Sequence, residues 1–74
     1  FFSKGESGQP VEALQTMLGL YGYNVPISGL FDDTTATVVE AFQRHFRPSR
    51  VDGVADASTI ETLHRLLTTL PAWS

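Results

Sequence analysis

Arg44, Arg47 and Arg50 form the only basic cluster in this chain of 74 residues. A guanidinium fork suits a carboxylate ligand, so one of the three could hold an acidic group. The same residues have a plainer use, because cations near the end of a helix interact with its partial negative charge for about 0.3–1 kcal/mol. His45 and His64 are the only histidines and there is no cysteine. A hydrolytic zinc site needs about three protein ligands and a general base, and no HExxH spacing supplies them, so neither a metal nor another cofactor is expected. Serines and threonines are plentiful, yet none sits in a GxSxG turn, and the acidic residues cluster where helices begin, where capping accounts for them. No catalytic constellation is assembled, and the chain is not expected to be an enzyme by itself. What remains for recognition is aromatic surface: Tyr21, Tyr23, Phe31 and Trp73.

These residues must be held by helices. The stretch Gly29–Pro48 sets a glycine turn, Asp32-Asp33 and Thr34-Thr35 ahead of an apolar face built on Val39, Phe42 and Phe46. An aspartate there can accept from first-turn N–H groups, and Pro48 ends the helix, which gives a helix over about 33–46. Upstream, Val11, Leu14, Leu18 and Tyr21 recur at steps of three, four and three behind Pro10, a first-turn proline. Tyr21 continues that stripe and is read as core, whereas Tyr23, beyond it, suits surface or cleft as well as core. Gly19 inside this helix costs about 1 kcal/mol against alanine and suggests that another backbone or a bulky ring packs there. Gly22 suits a left-handed cap. Residues 23–28 and 47–56 read as loops, the second turning at Asp52-Gly53. A third helix carries Ile60, Leu63, Leu67 and Leu70 and stops before Pro71. Gly53-Val54-Ala55-Asp56-Ala57-Ser58-Thr59 repeats the pattern of Gly29-Leu30-Phe31-Asp32-Asp33-Thr34-Thr35 more weakly. The expectation is an all-α, compact three-helix bundle with two similar turn-plus-helix units. Residues 1–8 read as a linker or cut edge, and 9–74 as one domain.

Bulk properties narrow the partners. Eight acidic against five basic residues give a formal charge of −3, and the third helix offers Glu61 with Arg65 as its basic residue, a poor nucleic-acid surface. No run approaches the roughly 18 apolar residues of a membrane span.

Taken together, Val11-x-x-Leu14-Gln15-x-x-Leu18-x-x-Tyr21-Gly22-Tyr23, Gly29-x-Phe31-x-x-x-Thr35-x-x-Val38-Val39-x-x-Phe42-Gln43, Asp52-Gly53-Val54 and Thr59 resemble the small three-helix peptidoglycan-binding domain appended to bacterial cell-wall hydrolases. The segment Ala41–Pro48 is closer to the version at the C-terminus of zinc-dependent N-acetylmuramoyl-L-alanine amidases. Asp32-Asp33 stands where the family often has Gly-Pro, and the second unit has Ala55 and Asp56. The resemblance implies a non-catalytic module that binds peptidoglycan, through its glycan strand and stem peptide, and holds a linked catalytic domain to the wall. It also implies a place in the bacterial cell envelope, periplasmic or extracellular. For such a ligand the candidate contacts are Tyr23, Phe31, Gln43, Arg44, Arg47, Arg50 and Asp52. An arginine would meet a stem-peptide carboxylate, and Gln43 a sugar N-acetyl group. The competing local readings are Phe31 as a hydrophobic staple, Gln43 as a tie to the neighbouring loop, and Asp52 as the start of its turn. The alternative function is a structural domain that packs on its catalytic partner or dimerises through Tyr23, Phe31 or Trp73, without ligand.

Overall fold

In the computed structural model, which describes residues 2–69, three helices follow in order: α1 (Gln9–Tyr21), α2 (Asp33–Phe46) and α3 (Ala57–Thr68). Their starts have local causes. Pro10 occupies the first turn of α1. Asp32 caps α2, its carboxylate accepting from the Thr35 N–H at 2.9 Å and the Thr35 hydroxyl at 3.0 Å. Asp56 caps α3 in the same manner, accepting from the Thr59 N–H at 2.9 Å. The repeated Asp-x-x-Thr is therefore a repeated cap.

The apolar stripes close on one core of Val11, Leu14, Leu18, Val25, Phe31, Val39, Phe42, Ala55 and Leu63. Val25 and Ala55 are loop residues that periodicity passes over. On α3 only Leu63 of the expected stripe is fully enclosed, while Ile60 and Leu67 are half-buried against the core. Leu70 and Trp73 lie outside the described residues. Gly19 departs from expectation: it is exposed and a Cβ built on it would meet nothing within 4 Å, so no ring or backbone packs there.

Between the helices, two buried glutamines do the joining. Gln15 of α1 accepts from the Gly29 N–H at 2.9 Å and donates to the Leu30 carbonyl at 3.0 Å and the Thr35 hydroxyl at 2.9 Å. Gln43 of α2 repeats this one unit later, accepting from the Gly53 N–H at 3.0 Å and donating to the Val54 carbonyl at 2.9 Å and the Thr59 hydroxyl at 3.0 Å. Each amide thus satisfies backbone groups of the turn that launches the next helix, which is what allows those turns to be buried. The segment 2–8, expected as an entering linker, is tied into both units. It pairs with Phe31 through the Gly5 N–H at 2.9 Å and the Glu6 carbonyl at 2.8 Å. It also pairs with Ala55, the matching residue of the second unit, through Phe2 at 3.1 and 2.8 Å.

Candidate functional site

The termini of α1 and α2 build an open cleft of about 280 Å³ lined by Tyr21, Gly22, Tyr23, His45 and Phe46. Its geometry begins with a helix stop. Gly22 takes a left-handed conformation at φ +117°, its N–H donates to the Gly19 carbonyl, and the next N–H, on Tyr23, returns to the Leu18 carbonyl at 3.0 Å. This pair of reversed bonds is a Schellman motif, which folds the residue after the glycine back over the helix end. Tyr23 is thereby laid beside Tyr21, their rings stacked at 6.3 Å and 23°. From α2, Phe46 meets Tyr21 edge-on at 5.4 Å, and Phe42 anchors the group from the core at 4.9 Å from Phe46. His45 stands on the rim, exposed, its ring 4.4 Å from that of Phe46.

Both tyrosines are half-buried, and burial, with the neighbouring Tyr21 phenol adding to it, pushes the Tyr23 phenol above its ordinary value. Tyr23 therefore enters the cleft as a neutral hydrogen-bonding group at neutral pH. Among the described residues, none takes up the Tyr21 or Tyr23 hydroxyl or the His45 ring in a hydrogen bond.

The other sequence candidates do not gather at this cleft. Phe31 is fully buried in the core, so its ring offers no surface to a ligand. Gln43 is equally buried and spends its amide on the second loop, including a bond to the Asp52 carboxylate at 3.1 Å. Arg47 lies across the same loop. Its guanidinium reaches both oxygens of Asp56 at 3.0 and 3.2 Å and the Arg50 carbonyl at 3.1 Å, with its side chain 15% exposed. Burial raises the Asp56 carboxyl, but the Thr59 N–H and then the Arg47 guanidinium outweigh it and bring the group down to about 2. Arg50 pairs with Asp52 at 3.0 Å, and Asp52 accepts from the Val54 N–H at 3.0 Å, which holds its carboxyl low. Gln43, Arg47, Arg50 and Asp52 therefore form one loop-clamping network. Arg44 and Arg50 are the exposed members of the basic cluster; Arg50 pairs with Asp52, whereas Arg44 makes no ion pair to a described residue. Tyr23 alone of the candidates lines the cleft. Of the residues named for the alternative packing or dimerising patch, Phe31 is interior, Tyr23 lines the cleft, and Trp73 lies outside the described residues.

Sequence reading missed Tyr21, His45 and Phe46 as walls of one cleft. In the sequence Tyr21 and Phe46 continue core stripes, and His45 stands out only as a potential metal ligand. A usable signal was present: Tyr21 and Phe46 each end an apolar stripe at the last residue of a helix, where a ring is enclosed on one side only. Among the described residues, no group of three or more His, Asp or Glu could hold a metal ion, and no helix is long and apolar enough to cross a membrane.

Two solved structures are similar over most of the chain. The SleB N-terminal domain is 33% identical with a TM-score of 0.80, over 88% of this chain and 89% of that one. A peptidoglycan-binding protein from Clostridioides difficile, solved in complex with glutamine hydroxamate, is 39% identical with a TM-score of 0.85. That match covers 95% of this chain and 44% of the other, so the domain spans less than half the length of that protein. No curated protein matches the chain. Residues 7–63, ending at the buried Leu63 of α3, match the family described as "Putative peptidoglycan binding domain". With that match running over both glutamine-clamped units, the chain belongs to the peptidoglycan-binding domain family, and its fold is the family's three-helix bundle.

Proposed function

We propose that this domain is a non-catalytic module that binds peptidoglycan at the Tyr21–Tyr23–His45–Phe46 cleft and tethers a linked cell-wall hydrolase to its substrate. The observation that carries the site is the contrast within the molecule. The buried polar side chains Gln15, Gln43 and Asp56 are consumed in holding turns, whereas the cleft is lined by aromatic side chains whose polar tips no described residue takes up. Family membership supplies the polymer as ligand and the bacterial cell envelope as the setting. The likeness of Ala41–Pro48 to the C-terminal module of N-acetylmuramoyl-L-alanine amidases supports an amidase as the attached enzyme, acting in the periplasm or outside the cell. A weak module suffices for such a role, because a repeating polymer and a tether raise the effective concentration of enzyme at its substrate. Arg44, exposed beside His45 in the chain and without an ion pair to a described residue, is placed to approach a stem-peptide carboxylate outside the cleft.

Co-sedimentation with purified, insoluble sacculi tests the proposal. The chain is expected to pellet with sacculi and to stay in solution with an equal mass of cellulose. Equal recovery in both supernatants would overturn it.

A further inference from the structure

We infer that the cleft takes the glycan of the polymer, an N-acetylated hexosamine laid against Tyr23, and leaves the stem peptide outside; this rests on the peptidoglycan reading above. Three observations favour sugar over peptide. The first is the lining. Tyr21, Tyr23 and Phe46 present ring surface, and the C–H face of a pyranose packs on such surface while its hydroxyls turn outward. The phenol hydroxyls and the His45 ring, which no described residue takes up, belong to the same lining and can meet hydroxyl and acetamide groups, each an ordinary hydrogen-bond partner for them.

The second is charge. Stem peptides carry carboxylates, and a carboxylate removed from water requires a cation or several N–H donors. No Lys or Arg lines the cleft. Arg47 is engaged with Asp56 at 3.0 Å and the Arg50 carbonyl at 3.1 Å, and Arg50, exposed and paired with Asp52 at 3.0 Å, belongs to the second loop and not to the cleft lining. The third is shape. A volume of about 280 Å³ at an open surface suits a short stretch of sugar.

Amide chemical-shift titration of the isotope-labelled chain decides the matter, using three probes: an N-acetylglucosamine tetrasaccharide, a free stem tetrapeptide, and a soluble muropeptide carrying both parts. The expected result is that tetrasaccharide and muropeptide shift Gly22, Tyr23, His45 and Phe46 while the tetrapeptide leaves them in place. Shifts of these residues by the tetrapeptide overturn the inference. So does a muropeptide that binds while the tetrasaccharide does not, or a tetrasaccharide whose shifts fall elsewhere; in each case peptidoglycan survives as the ligand, and in the last its placement at the cleft falls. Absence of any shift with the muropeptide removes that reading and this one together. Tyr23→Ala is expected to weaken tetrasaccharide binding about five- to tenfold. Because that ring also braces Tyr21, His45→Ala at its exposed position provides a second variant, expected to lose about threefold or more. Undiminished affinity in a folded His45→Ala overturns the polar half of the assignment.

Discussion

At the scale of single residues, the two buried glutamines and Arg47 hold together what backbone propensity alone would leave loose. Each glutamine covers a glycine N–H, a carbonyl and a threonine hydroxyl at the start of the following helix. Removing one side chain leaves these groups buried and unpaired, at about 1–3 kcal/mol for each group that water cannot reach. Gln43→Ala is therefore expected to cost about 2–4 kcal/mol in chemical denaturation, and Gln15→Ala a comparable amount. Arg47 differs from its neighbours in kind. Its pair with Asp56 lies between an exposed ion pair, worth about 0–1 kcal/mol, and a buried one whose breaking costs about 3–5 kcal/mol. Arg47→Ala should destabilise the domain by about 1–3 kcal/mol, while Arg44→Ala should leave the unfolding midpoint unchanged within error. Comparing the two variants in one melting experiment separates a structural arginine from a surface one. Any loss of cell-wall binding in Arg47→Ala must be corrected for its folded fraction before it is assigned to contact. Sequence reading grouped Arg44, Arg47 and Arg50 because they are close in the chain. Only the path of the second loop reveals that Arg47 reaches inward to Asp56.

At the scale of elements, the helices were legible because their signals are local. Asp32 before Thr35 states where α2 begins, Pro48 states that it is over, and the expected bounds of 33–46 match. The C-terminal cap at Gly22 was legible for the same reason, whereas its consequence, a Tyr23 ring stacked on Tyr21, depends on two reversed hydrogen bonds that spacing does not display. Also legible in retrospect is a deeper repeat. Val11-Glu12-Ala13-Leu14-Gln15 and Val39-Glu40-Ala41-Phe42-Gln43 place equivalent glutamines ahead of equivalent turns. The turn half of each unit is legible in the sequence, as is the tie from Gln43 to its loop, whereas the matching tie from Gln15 is not. Segment 2–8 hid its role because polar, glycine-rich residues read as linker unless their backbone partners are known. Glycine identity separates these local and tertiary demands experimentally. Gly19 sits in a helix with open space around it, so Gly19→Ala is expected to stabilise by about 0.5–1 kcal/mol and raise the melting temperature by several degrees. Gly53 has φ +73°, and a Cβ there would come within 3.1 Å of a Glu40 carboxylate oxygen, so Gly53→Ala should destabilise by about 1–3 kcal/mol. Changes of the same sign in thermal melts would contradict this account of the two positions.

At the scale of the whole molecule, the caps and clamps make stability a function of pH. Asp32, Asp52 and Asp56 all have carboxyls lowered in the folded state. The Thr35 N–H lowers Asp32 most, the Val54 N–H lowers Asp52 most, and the Thr59 and Arg47 donors bring Asp56 to about 2 against its burial. A group whose folded value is depressed binds protons more readily in the unfolded chain. Its stabilisation is complete above the ordinary carboxylate range near pH 4 and is lost as pH falls toward the folded value. The three act at different places, one at the start of α2 and two around the second loop and the start of α3, so acid loosens both units of the repeat rather than one. With the domain this small, that loss is a substantial part of a total stability of only several kcal/mol. At the alkaline end Tyr23 works in the opposite sense. Its raised phenol favours the folded state below its ordinary value near 10, and that contribution disappears as pH rises through the folded value. The expected profile is a plateau between about pH 4 and 10 with a fall on each side. Asp56→Asn isolates one contribution. It retains a cap for the Thr59 N–H but cannot pair with Arg47 as an anion, so it should lower stability at pH 7 by about 1–2 kcal/mol after allowance for solvent screening. The difference from the unaltered chain should shrink as pH drops from 4 to 2, where Asp56 takes up its proton. Denaturant midpoints of both chains measured across that interval check the sign directly: a gap that stays constant or widens toward pH 2 would show that the Arg47–Asp56 pair is not what the acid limb titrates.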